Sequence, residues 1–196
     1  MSSADDSLNV PHPRYGTKPR ITGENPQTDF GGDVCLHWHS PPEVRVPNTA
    51  IAADVDAQVP ATVPVTHYYD VRRRCLDCGR PFLFFAAEQK FWYETLGFPL
   101  EADCVRCVPC RKQQQGLART KQRYEELCAV ADPTVEERLE FAECAVILLE
   151  GGVLGSRVGE RARSLLNRVE REAGAVVQAR VDGLRARLTE LDERTS

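Results

Sequence analysis

Cys75-Leu76-Asp77-Cys78-Gly79 and, after 28 intervening residues counted from Cys78, Cys107-Val108-Pro109-Cys110-Arg111 are the stretches that decide how this chain is read. Each contains a Cys-x2-Cys turn. Two thiolates held on one tight turn can bind a single metal ion while backbone amides of the turn hydrogen-bond to the sulfurs, and Gly79 can adopt the positive φ that closes the turn. Two such turns complete a tetrahedral four-thiolate site. Four thiolates leave no position for water or substrate, so the spacing points to one structural zinc ion (Zn2+) and away from an enzyme. The gap of 28 exceeds the roughly 15 to 20 residues of a simple double knuckle. A strand and a helix inserted between Phe82 and Gly97 account for the excess.

Around these turns the local patterns change character. His67 to Arg74 alternates, with Tyr69, Val71 and Arg73 on one face, and reads as a strand leading into Cys75. Pro81 to Phe85 is a short aromatic strand, and Ala86 to Leu96 a helix stopped by Gly97. From Cys110 onward good helix formers dominate, interrupted by Gly116. Asp132-Pro133 marks a second helix start, with Leu139, Ala142, Val146 and Leu149 on one face as far as Gly151-Gly152. A last helix is expected from Ser156 to Glu193. Its stripe Val158, Ala162, Leu165, Val169, Ala173, Val177, Val181, Leu184, Leu188 and Leu191 suits either a helical hairpin or a self-associating coiled coil.

Residues 1 to 66 hold nine prolines among Asp, Thr and Ser, which break both helix and strand patterns, so this region is expected to be irregular or partly disordered. The apolar patches Val34 to Trp38 and Val44 to Ile51 are the parts able to dock.

The stretch Arg74 to Lys112 resembles a family: the probable zinc-ribbon, treble-clef-like domain of bacterial proteins. The residues that carry the resemblance are Cys75 and Cys78, Arg80-Pro81-Phe82, Glu88-Gln89, Phe91-Trp92, Gly97-Phe98 and Arg106-Cys107-Val108-Pro109-Cys110-Arg111-Lys112. The resemblance implies a knuckle, a small strand element and a helix whose first turn presents the final cysteines. It implies no defined molecular function. Cys104 lies three residues before Cys107, so Cys104 and Cys107 form an alternative second pair. The Arg106 and Arg111 neighbours and the helix opening at Cys110 favour Cys107 with Cys110. An iron-sulfur run is not completed here.

Other donors were weighed against blander roles. Cys35, His37 and His39 would share one side of a strand, but no fourth ligand is evident. Cys128 and Cys144 read as small core residues.

The net charge of −4 conceals an uneven distribution. Residues 1 to 69 carry −4, residues 70 to 124 carry +5 and residues 125 to 196 carry −5. Arg72, Arg73 and Arg74 before the first knuckle, with Arg111, Lys112, Arg119, Lys121 and Arg123 after the second, could form a basic surface. Tyr68, Tyr69 and Trp92 would offer stacking faces, so nucleic-acid binding is the rival function. No stretch approaches the roughly 18 apolar residues of a membrane helix. The N-terminus, with Asp5 and Asp6, lacks the pattern of a secretory signal. Eight cysteines in a cytoplasmic protein are expected as thiols or metal ligands.

These observations lead to an α+β protein: an irregular region over 1–66, a zinc module over 67–124 and a helical region over 125–196. The expected metal ligands are Cys75, Cys78, Cys107 and Cys110. The expected role is a zinc-binding interaction module that contacts a protein partner through the surface around Phe82 to Phe98, without a membrane, and with the C-terminal helix available for a homo-oligomer.

Overall fold

Among the described residues, four short strands and five α-helices form the main regular elements: β1 (Ile51–Ala52), β2 (His67–Tyr68), β3 (Val71–Arg74), β4 (Pro81–Phe84), α1 (Ala86–Lys90), α2 (Val108–Cys128), α3 (Val135–Glu150), α4 (Arg157–Glu172) and α5 (Ala175–Thr195). The structure, a computed structural model, describes residues 8–27, 33–172 and 175–195. The fold is α+β, with two antiparallel strand pairs, β1 with β2 and β3 with β4. Among the described residues no helix is long and apolar enough to cross a membrane.

The chain divides into two compact units, residues 1–111 and 112–196. The boundary between these two units falls inside α2. The physical reason that the first unit includes the proline-rich region lies in the β3–β4 hairpin, which pairs Val71 with Phe84 and Arg74 with Pro81. Two strands alone leave both edges with unpaired backbone groups, and a lone hairpin is marginal in water. The proline-rich region supplies what is missing. Val10 N–H donates to Pro81 O at 2.7 Å on one edge. On the other, Val46 N–H donates to Asp70 O at 2.9 Å and Arg72 N–H to Val44 O at 2.8 Å. Apart from β1 and a short helical turn at Val55–Ala57, the described part of this region stays out of regular elements, yet Val10, Val46, Ala50 and Val65 are buried. Its described residues thus include buried apolar anchors among exposed ones. Asp5 and Asp6 lie outside them.

Asp70 ends the strand expected to run unbroken from His67. Its carboxylate accepts from Arg20 N–H and from Ala86 N–H, each at 2.7 Å, the second at the start of α1. Beyond Lys90 the helix widens into a π-turn over Phe91–Thr95 and stops at Gly97, whose φ is +64°.

In the second unit, Leu139, Ala142, Ala145 and Val146 of α3 pack with Ala162, Leu166 and Val169 of α4 and Val181, Leu184 and Leu188 of α5. α3 begins two residues later than Asp132-Pro133 suggested. Thr134 accepts from Glu137 N–H while the Glu137 carboxylate accepts from Thr134 N–H, a reciprocal capping box. The single helix expected from Ser156 to Glu193 is instead two, α4 and α5. Arg185 pairs with Glu170 at 2.7 Å and Arg163 pairs with Asp192, which fixes the two helices as antiparallel. Ala162, Val169, Val181, Leu184 and Leu188 of the apolar stripe are buried between α3, α4 and α5, while Val158, Leu165, Val177 and Leu191 are half-buried; Ala173 lies outside the described residues. Cys144 is a core residue packed with Leu127 and Phe141, as expected, whereas Cys128 is exposed at the end of α2, with Arg161 Nη1 4.0 Å from its sulfur.

Candidate metal centre

The first knuckle leaves β3 at Cys75. Cys75 N–H donates to Arg80 O at 3.0 Å and Gly79 N–H to Cys75 O at 2.9 Å, closing a turn that requires the left-handed φ of +68° found at Gly79. The second pair sits at the opening of α2, where Arg111 N–H donates to Cys107 O at 3.0 Å and begins the helical ladder. Two links join the knuckles directly. Leu76 N–H donates to Val105 O at 3.0 Å, and Arg106 Nε donates to both Asp77 oxygens at 2.9 and 3.0 Å.

This framework gathers the sulfurs of Cys75, Cys78, Cys107 and Cys110 within 4.8 Å of one another. Cys78 Sγ and Cys107 Sγ are 3.8 Å apart. A tetrahedron with metal–sulfur distances of about 2.3 Å has edges of about 3.8 Å, whereas a disulfide brings sulfurs to about 2.05 Å. The spacing fits ligation of one ion. Burial raises the Cys75 thiol, but backbone amides of Cys78, Cys107 and Asp77 at its sulfur outweigh that and bring it to about 6. Cys110 is pushed up, first by its hydrogen bond with the Cys107 sulfur and then by burial, and Cys107 is pushed up chiefly by burial. The thiolate is therefore easier to form at Cys75 than at Cys107 and Cys110. A divalent cation deprotonates a coordinating thiol outright.

Cys104 stands outside this group. It is buried, its thiol donates to Arg106 O at 3.4 Å, and burial above all pushes it up to about 12, so it is a neutral core thiol. His37 is no ligand either. Its Nε2 lies 2.8 Å from Leu100 O and its Nδ1 accepts from His39 N–H at 3.1 Å, so both ring nitrogens are engaged. Cys35 to His39 is not a strand that would align its three donors, and Ser40 N–H returns to His37 O at 3.0 Å. Among the described residues the four cysteines are the one group of His, Cys, Asp or Glu side chains placed to hold a metal ion.

Sequence reasoning named Glu88 and Gln89 without a role. The Gln89 amide donates to Tyr69 O at 2.5 Å and to Phe84 O at 3.0 Å, tying α1 to the strand ends. Glu88 accepts from Arg111 Nη2 at 2.5 Å, and the Arg111 guanidinium lies 4.8 Å from the centre of the Trp92 ring. His12 approaches the same carboxylate at 3.5 Å. A Glu-Gln pair inside an apolar helix was the available signal. That His12 would join it, from 76 positions away, was not readable.

Residues 69–118 match the family model described as a probable treble clef domain. No curated protein and no solved structure matches the chain. The chain thus carries a treble clef domain whose four cysteines lie together as a metal ion could be held.

Proposed function

We propose that this chain is a zinc-stabilised protein-interaction module of the cytoplasm. Cys75, Cys78, Cys107 and Cys110 would hold one zinc ion, and the ion supplies folding free energy by joining the end of β3 to the start of α2. The observation that carries the zinc is the 3.8 Å separation of two sulfurs from different knuckles. Full thiolate coordination supports a non-enzymatic role.

The surface offered to a partner is narrower than the span from Phe82 to Phe98. Phe82, Phe84, Phe85 and Tyr93 are buried, whereas Phe91, Leu96 and Phe98, on and after the π-turn, are 44%, 48% and 39% exposed. Apolar side chains grouped in this way favour a protein contact. Arg73, Arg111, Lys121 and Arg123 of the rival basic surface, and Arg106 beside it, already face carboxylates within the chain. Arg73 pairs with Asp103, Arg106 with Asp77, Arg111 with Glu88, Lys121 with Glu125, and Arg123 with Glu126 and Glu140. Cations already facing carboxylates release few counterions on meeting phosphate. Self-association through the C-terminal stripe is left out of this reading because Val169, Val181, Leu184 and Leu188 are buried within the helical unit.

The test compares proteins captured from the native cell extract by the zinc-loaded chain and by a Phe91→Asp/Phe98→Asp variant of equal zinc content. Partners retained by the first and lost by the second are expected. Identical capture, or salt-dependent retention of the chain on DNA or RNA, contradicts the proposal.

A further inference from the structure

Three arginines bury an Nε without a hydrogen-bond partner: Arg45, Arg73 and Arg111. For two of them a carboxylate compensates the guanidinium elsewhere, Asp103 at 2.9 Å for Arg73 and Glu88 at 2.5 Å for Arg111. Among the described residues Arg45 has no such ion pair. Its guanidinium lies 5.8 Å from the centre of the Tyr69 ring, and burial lowers its pKa, with Tyr69 and Glu43 opposing. A partly desolvated cation without a carboxylate is costly, and it calls for a ligand that arrives from outside.

The space for one is present in the first unit. Arg45 lines a surface cavity of about 610 Å³, inside the roughly 300 to 1,000 Å³ of small-molecule sites. Pro19, Ile21, Val46 and Pro47 form its apolar part, and Lys18 joins Arg45 as a cation on a lining that also holds Glu43 and Arg72. Arg45 and Pro47 also line a second cavity of about 200 Å³ with Asn25, Gln27 and Tyr69, so Arg45 borders both.

We propose that this cavity binds a small organic oxyanion, an apolar body carrying a phosphate or carboxylate, with Arg45 as the residue that receives the charge. A guanidinium presents paired donors that match two oxygens of such a group, while Pro19, Ile21 and Val46 accept the apolar body. The proposal is independent of the zinc and of the aromatic surface.

Phenyl phosphate, benzoate and phenol are titrated into the full-length zinc-loaded chain, with binding followed by backbone amide chemical shifts. Saturable binding of phenyl phosphate or benzoate is expected, at least tenfold tighter than phenol, with shifts at Ile21, Val46 and Arg72. The tighter of the two anions identifies the head group. Arg45→Gln should weaken the bound anion tenfold or more at unchanged zinc content. Lys18→Gln, at an exposed position, should weaken it two- to fivefold and serves if the first variant fails to fold. Phenol binding as tightly as the anions, no saturation, or affinity unaltered in a folded Arg45→Gln variant or in Lys18→Gln overturns the proposal.

Discussion

Cys78 and Cys107, separated by 28 intervening residues along the chain, bring their sulfurs to 3.8 Å. Neither knuckle alone explains this approach. It depends on the Leu76–Val105 backbone bond and on the clasp of Arg106 around Asp77, which hold the turns together from outside the site.

The choice between neighbouring cysteines gives the first prediction. Cys110→Ser should lose the metal and unfold the hairpin unit. Cys104→Ala should keep the metal and lose about 1 kcal/mol, the order expected for a small buried group that leaves a small cavity. Zinc content and urea unfolding of the two variants check this.

Gln89 connects α1 to two strand carbonyls in a buried position. Gln89→Leu keeps the volume but leaves the carbonyls of Tyr69 and Phe84 without that donor, and should cost about 2 to 3 kcal/mol. Urea unfolding of the zinc-loaded variant measures the loss; a change within 0.5 kcal/mol, on the order of a neutral surface substitution, would show that the bonds are not formed.

His37 predicts a pH dependence. Burial first, and His39 second, lower its pKa from 6.5 to about 4. The unfolded chain therefore binds a proton more readily than the folded one. Stability from this group is complete above about pH 6.5 and declines as pH falls toward 4, by on the order of 3 kcal/mol in all. Between pH 7.5 and 5.5, with zinc retention checked at each point, the unfolding free energy should fall by about 1 kcal/mol. In His37→Gln that part of the slope should disappear.

The helical unit has its own core, so its stability should be separable from the metal. Leu166 is fully buried among α3, α4 and α5. Leu166→Ala should destabilise this unit by about 2 to 5 kcal/mol and leave the zinc content unchanged. Circular dichroism melting together with metal analysis decides it.

Much of this architecture was legible because its signals are local. Cys-x2-Cys spacing, the glycine that turns at residue 79, the short aromatic strand before Ala86 and the Gly151-Gly152 stop each act within a few residues. The exceptions depend on distant contacts. Val10, Val44 and Val46 pad the edges of the hairpin across tens of residues, and no periodicity announces such pairing in a proline-rich segment. The stripe from Val158 to Leu191 is continuous in sequence whether it runs as one helix or folds back as α4 and α5; the antiparallel pairing of Arg163 with Asp192 and Arg185 with Glu170 distinguishes the two. At Thr134 a capping box displaced the Asp132-Pro133 start because it satisfies donor groups at both ends of one turn.

Metal analysis of the chain purified without added metal bears most directly on the four-cysteine centre. The expected result is one zinc per chain, lost together with the hairpin fold when Cys78 is replaced by serine. A ratio far below one, or zinc fully retained by Cys78→Ser, would contradict a structural zinc held by Cys75, Cys78, Cys107 and Cys110.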